Sequence, residues 1–214
     1  GNANSANGKA GDRDASLMAD FIAEALALKR NEVLVASTGM IGKKLPLGNI
    51  RTKIPELIGE LSEDGGGSFS TAILTTDTKK KELAVKFKLG GQAVAIGGAC
   101  KGVGMIYPNL KCERHATMLC FVTSDAAITK RMLEQALDEA ISESFNMISV
   151  DGDMSTNDSC FVLANGLAGN RKIDKKDGNY KIFSGALKFL LKTLAKKIVE
   201  DGEGATKFVE IEVV

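Results

Sequence analysis

The sequence predicts an α+β fold, a layered sandwich of helices on a mixed β-sheet, and three observations predict it. Strand-like and helix-like segments alternate, but without the regular spacing of a doubly wound parallel sheet. Two strand-like runs, "KELAVKFKL" and "QAVAIGGAC", are separated only by Gly90 and Gly91, a two-residue hairpin turn that tolerates positive φ. Long amphipathic segments stand at the start, the middle and the end of the chain, with the apolar period of helices that pack on a sheet. One core is expected over 1–214, with no internal repeat and no second domain.

In chain order, the loop "GNANSANG" precedes "DRDASLMADFIAEALAL", a helix capped by Asp12 or Asp14 with Leu17, Met18, Phe21, Ile22, Ala25 and Leu26 on one face. "EVLVAS" reads as a short buried strand entering the turn "STGMIG". "LGNIRTKIPELIGELS" reads as a second helix, with Pro55 at the first turn of its final part. A glycine loop, "SEDGGGS", leads to a helical "FSTAIL", the hydroxyl cluster "TTDT" and the hairpin. "ATMLCFVTSD" is a strand, "AAITKRMLEQALDEAISESF" a long helix and "SCFVLANG" a strand. After the polar "RKIDKKDGNYK" comes the helix "IFSGALKFLLKTLAKKIVEDG", ended by Gly202, and "TKFVEIEVV" returns to strand. Both ends read as cut.

The length of 214 residues and the 44% hydrophobic content allow a core without disulfide or metal staples. The 28 basic and 27 acidic side chains nearly cancel, which argues against nucleic acid as a partner. The run Lys79, Lys80, Lys81 lies beside Asp77 and Glu82 and reads as a solvated turn. No apolar stretch reaches the length of a membrane span, and no secretory signal order opens the chain, so a cytoplasmic setting away from the membrane is expected. Cys100, Cys112, Cys120 and Cys160 are scattered and read as reduced thiols.

Several clusters invite chemistry. Cys112 and His115 form a Cys-x-x-His pair, but a structural zinc site needs four ligands and no second pair stands at usable spacing; an exposed loop is the plainer reading, and no metal is expected. "DGDMSTND" begins like a calcium loop, then carries Thr156 where the turn glycine belongs and Val162 where the bidentate glutamate belongs. A tight turn held by Asx-type side-chain bonds is the better reading. "GGACKGVG" lacks the frame of a phosphate loop. Its glycines either let backbones approach closely or line a site with Lys101 as its positive charge. Thr117, at the head of a strand, is by itself ordinary β-branched filler.

Together, "GNAN", "VLVASTGMIG", "AILTTDT", "KGVGMIYPN", "ATML", "DGDMSTNDS" and "GEGATK" resemble, in order and over the whole chain, the glutamate N-acetyltransferase (ornithine acetyltransferase) family of arginine biosynthesis. The resemblance implies an N-terminal-nucleophile-like acyltransferase fold and a precursor that cleaves itself between Ala116 and Thr117. The parts are then 1–116, like the family's α chain, and 117–214, the first part of its β chain. Cleavage leaves Thr117 with a free α-amine whose ordinary pKa, near neutrality, suits it to take the proton of its own hydroxyl.

The resemblance further implies that Thr38 and Gly39 stabilise an oxyanion, and that Thr75, Lys101, Thr117 and Glu203 bind substrate. The implied reaction moves an acetyl group from N-acetylornithine to glutamate through an acetyl ester of Thr117, with no cofactor. Some members also accept acetyl-CoA, and the family's assembly is an α2β2 heterotetramer. Two departures from the family pattern are visible. The residues "KCERH", Lys111 to His115, are interposed before the Ala-Thr junction, and members run to about twice this length. They leave two other readings open, an N-terminal-nucleophile amide hydrolase or aminopeptidase, and a non-catalytic fragment.

Overall fold

Helices α1 (Gly8–Ala25), α2 (Leu47–Gly59) and α3 (Gly66–Ala72) come first in the computed structural model, which describes residues 1–110 and 118–213. The hairpin β1 (Lys81–Leu89) and β2 (Gln92–Lys101) follows, then β3 (Leu119–Ser124), α4 (Lys130–Ser142), β4 (Ser159–Ala164) and α5 (Gly178–Glu200). The chain divides into two compact units, Gly1–Ala72 and Ile73–Val214.

In the first unit, α1 starts at Gly8 behind Asn7, four residues before the expected cap at Asp12, and Asp14 is buried inside the helix. The asparagines of the opening loop explain the early start. Asn4 Nδ2 donates to the Gly11 carbonyl at 3.0 Å, and a Cβ on Gly11 would stand 3.0 Å from Asn4 Oδ1, so the loop lies directly on the first turn. The expected apolar face is half-buried along Leu17, Met18, Phe21 and Ile22 and exposed at Ala25 and Leu26, while Ala19 and Ala23 are the apolar side chains of the helix that bury.

Helix α1 packs against α2, where the Arg51 guanidinium lies 5.3 Å from the centre of the Phe21 ring. Pro55 does not begin a new helical part; it sits within α2 on an exposed position. "EVLVAS" forms no strand. A 3-10 turn occupies Arg30–Glu32, and 33–38 run on without a ladder, leaving Leu34 58% exposed. A strand exists only by pairing, and apolar β-branched content without a partner does not make one.

The second unit contains the expected mixed sheet, in the order β1-β2-β3-β4. The β1/β2 and β2/β3 pairs are antiparallel and β3/β4 is parallel. Gly90 and Gly91 turn the hairpin at φ 56° and 91°, as the glycine pair predicts. The parallel pair needs a crossover, which α4 provides, its first turn capped by the Thr129 hydroxyl. Helix α5 begins within the polar excursion, at Asp177, whose carboxylate accepts the Tyr180 N–H at 3.1 Å. It packs on α4, β1 and β2.

Phe183, Leu187, Leu190, Leu191, Leu194 and Ile198 of α5 bury completely against Leu89, Val94, Ile96, Cys120 and Val122 of the sheet. Gly98 is a packing glycine: a Cβ there would meet Val122 Cγ2 at 3.0 Å and Leu190 Cδ2 at 3.4 Å, so the helix lies close on the strand. Cys100, Cys120 and Cys160 carry free thiols. "TKFVEIEVV" is not a strand over its described residues; among the described residues no strand pairs with it, and Val209 and Ile211 are exposed. Among the described residues, no helix is long and apolar enough to cross a membrane.

Candidate active site

The sheet gathers chemistry at one end. β1 starts at Lys81, β2 ends at Lys101, and the parallel strands β3 and β4 start at Leu119 and Ser159. Antiparallel and parallel pairing together put these four ends in register: Lys81 opposite Cys100, Lys101 opposite Leu119, and Leu119 opposite Ser159. Three of the expected substrate residues lie on segments that meet here, Thr75 just before β1, Lys101 at the end of β2, and Glu203 just after α5.

A buried ion cluster ties those segments together. Lys81, expected in a solvated turn, is 1% exposed, whereas its neighbours Lys79 and Lys80 are exposed. Its position explains the difference, because 81, 83, 85, 87 and 89 share the inward parity of β1. The ammonium donates to Asp77 Oδ1 at 2.7 Å and to Asp201 Oδ2 at 2.6 Å, both carboxylates being enclosed with it.

Asp77 also accepts the Gly102 N–H at 2.8 Å and the Thr75 N–H at 3.2 Å. Asp201 accepts the N–H of Thr78 at 3.0 Å and of Lys79 at 3.3 Å, and also the Thr78 hydroxyl. Burial pushes the Asp77 carboxyl up, but the Gly102 N–H, the Lys81 ammonium and the Thr75 N–H outweigh it and hold the pKa below the ordinary value. For Asp201 burial is likewise outweighed, by Lys81 and by Thr78.

Asp201 is an unusual residue where it stands. It caps the C-terminus of α5, the negative end of the helix dipole, where an anion is disfavoured. The Lys81 ammonium and the N–H groups before β1 compensate it, so a locally unfavourable residue is stable only because another segment has been drawn onto the helix end.

Lys101 is itself 2% exposed, and burial lowers its pKa; Asp77 and Asp158 act to raise it and Lys81 to lower it further. The next residues fold back tightly. Gly102 has φ 146°, and a Cβ on it would stand 3.0 Å from Ile106 Cδ1. Met105 takes a left-handed φ of 55°, held by Asp151, whose carboxylate accepts the Met105 N–H at 2.5 Å and the Ile106 N–H at 3.0 Å. Asp151 also accepts the Asp153 N–H at 3.1 Å, the Asx-type turn expected for "DGDMSTND".

Glu203 donates its N–H to the Val103 carbonyl at 2.6 Å. Its carboxylate lies over Gly104, where a Cβ would stand 2.6 Å from Glu203 Oε2. Of the two readings of "GGACKGVG", then, Gly98 serves close packing, while Gly102 and Gly104 shape the loop around Lys101 and Glu203.

The Ala116–Thr117 junction and the Cys112/His115 pair lie outside the described residues. The chain on each side is anchored. Leu110 donates its N–H to Asn146 Oδ1 at 2.9 Å, and Met118 donates to Asp158 Oδ1 at 2.5 Å while its carbonyl accepts the Ser159 N–H at 2.8 Å. Lys81 reads from the sequence only as part of a solvated lysine run, Asp201 has no reading there, and Asp151 and Asp158 read only as the two ends of the turn "DGDMSTND". The inward parity of Lys81 and the acid at a helix C-terminus were the available signals for the first two.

Thr38 and Gly39 belong to the unit Gly1–Ala72. Thr38 is half-buried, and Gly39 has φ 124° with Gly1 pressed against it, so that a Cβ would stand 2.2 Å from the Gly1 carbonyl carbon. The Met40 N–H donates to the Gly1 carbonyl at 3.0 Å and the Ala3 N–H to the Met40 carbonyl at 3.0 Å. "GNAN" and "STGM" are thus one bridged structure.

The family model of the ArgJ family matches residues 1–214. The chain belongs to the ArgJ family. A relative from Symbiobacterium thermophilum, an arginine biosynthesis bifunctional protein ArgJ, is 49% identical over 213 residues, covering 100% of this chain and 52% of its own length. A glutamate N-acetyltransferase from Methanocaldococcus jannaschii is 47% identical over 213 residues, 99% of this chain and 51% of that protein. A solved structure of arginine biosynthesis bifunctional protein ArgJ from Bacillus halodurans is 46% identical, with a TM-score of 0.38 over 40% of this chain and 39% of that one. The chain spans about half the length of the curated relatives it matches. The family resemblance read from the seven ordered segments is borne out.

Proposed function

We propose that this chain supplies the core of an acetyltransferase of arginine biosynthesis with an N-terminal threonine nucleophile. Cleavage between Ala116 and Thr117 frees the α-amine of Thr117. The Thr117 hydroxyl oxygen then attacks the acetyl carbonyl carbon of N-acetylornithine, its proton passing to that α-amine and on to the departing ornithine nitrogen as the C–N bond breaks. The amine of glutamate attacks the resulting ester, the C–O bond breaks, and the threonine hydroxyl regains a proton. Thr38 and the Gly39 N–H are the donors for the oxyanion, a contribution of about 3 kcal/mol each in such sites. Lys101 and Glu203 meet the opposite charges of an amino-acid substrate, and Thr75 adds a hydrogen-bonding hydroxyl. Acetyl-CoA as a second donor, an α2β2 assembly and a cytoplasmic setting belong to the same reading.

One observation carries it: the segments of Thr75, Lys101 and Glu203 converge on a single buried ion cluster at the end of the sheet where β3 begins, and β3 begins two residues after Thr117. Intact-mass spectrometry tests the cleavage, with two chains split at Ala116–Thr117 expected and a single uncut chain the contrary result. Transfer is tested on the chain completed to the length of its relatives: N-acetylornithine plus glutamate should yield N-acetylglutamate, and Thr117→Ala should abolish it. Free acetate in place of N-acetylglutamate would mean water is the acceptor and the protein is a hydrolase.

A further inference from the structure

The three converging segments have no sequence proximity, and what joins them is not the sheet ladder alone. Asp77 touches the backbone of both Thr75 and Gly102, the residue after Lys101. Asp201 sits two residues before Glu203 and grips Thr78 and Lys79. Lys81 bridges the two carboxylates. Each substrate residue is therefore within two residues of a group bonded to the cluster, while none of the three cluster side chains is exposed to meet a substrate itself.

We propose that Asp77, Lys81 and Asp201 are positioning residues for substrate binding: they set the spacing of Thr75, Lys101 and Glu203 and the charge environment of the Lys101 ammonium. The proposal rests on the acetyltransferase reading for the identity of the substrate. For the coupling to Lys101 it rests on the burial of that side chain at the end of β2 and on the grip of Asp77 on the next residue, Gly102. The charged groups acting on Lys101 are Asp77, Lys81 and Asp158. Lys81 and Asp77 act on it in opposite senses, so removing each should move its titration in opposite directions. A change that merely loosened the fold would not split by sign in this way.

The mildest variant is Asp77→Asn, which keeps an oxygen for the Gly102 N–H and leaves the Lys81–Asp201 pair in place. In the completed protein it should raise KM for N-acetylornithine by about tenfold with a much smaller change in kcat. Gly104→Ala, which displaces the Glu203 carboxylate without touching the cluster, should give the same KM-dominated loss and an unchanged Lys101 titration. Isotope-edited NMR of the lysine side chains, with Lys101 assigned through Lys101→Arg, should show the Lys101 pKa falling in Asp77→Asn and rising in Lys81→Met.

If transfer proceeds and Asp77→Asn keeps the parental KM, the positioning role is overturned. If the Lys101 titration stays put or shifts the same way in both variants, the electrostatic coupling is overturned. If the parental protein itself transfers no acetyl group, the acetyltransferase reading fails, and the opposed shifts of Lys101, which need no substrate, still decide the coupling.

Discussion

At position 39 no side chain fits. The backbone is left-handed, with φ 124°, and the Gly1 carbonyl occupies the place of a β-carbon. Gly39→Ala should cost the unit Gly1–Ala72 about 1–3 kcal/mol, measured as a lower urea midpoint, and should move the N–H proposed as an oxyanion donor. Lys81 is the corresponding point of the second unit. Lys81→Met leaves two enclosed carboxylates facing each other, and the expected loss is about 3–5 kcal/mol, against a much smaller loss for Asp77→Asn.

These residues differ in how well they can be read from sequence. Thr38, Gly39, Thr75, Lys101 and Glu203 stand in distinctive short segments, so a resemblance carries them. Lys81 was lost in a lysine run because net charge dominates the reading of such a run, whereas burial depends on strand parity, and parity depends on where the strand starts. Asp201 was lost because an acid beside a glycine reads as an ordinary helix stop; its carboxylate becomes meaningful only when a segment more than a hundred residues away is folded onto it.

Among the elements, the two helices of the second unit show the difference between propensity and packing. Leu190 is fully buried between α5 and the sheet, and Leu190→Ala should cost about 2–5 kcal/mol, visible as a lower melting temperature. α2 offers the reverse. Pro55 withholds an N–H from the carbonyl of Arg51 in mid-helix and is exposed, so Pro55→Ala should stabilise the helix by about 1–3 kcal/mol, seen as increased hydrogen-exchange protection around Ile54.

The hairpin, β3, β4, α4 and α5 were all legible, because period and glycine pairs are local signals. "EVLVAS" and "TKFVEIEVV" were misread for one shared reason. Alternation and β-branching describe a residue's fitness for a sheet, but the partner that makes a strand lies elsewhere in the chain.

For the whole molecule, the lowered carboxyls set the response to acid. Asp77 and Asp201 have folded-state pKa values below their unfolded ones, so their contribution is complete above the ordinary carboxylate range and is lost as pH falls through the lowered folded values. Glu139, held by Lys176, and Glu143, held by Lys188, shift in the same direction from partly exposed positions. The unit Ile73–Val214 should lose stability steeply below about pH 4, and Asp77→Asn should flatten that slope in an acid titration followed by circular dichroism. On the alkaline side burial, with Glu139 beside it, pushes Tyr180 up to about 12, so its contribution is complete below the ordinary tyrosine value of 10.0 and is lost as pH rises from there through about 12.

The glycine pair at Gly90–Gly91 has a practical consequence of another kind. It closes the hairpin at the end remote from Lys81 and Lys101, about 27 Å along the strands from the ion cluster. That turn is a port through which the molecule can be handled: a fluorescent label, a tether or an inserted peptide placed there leaves the chemical end of the sheet untouched.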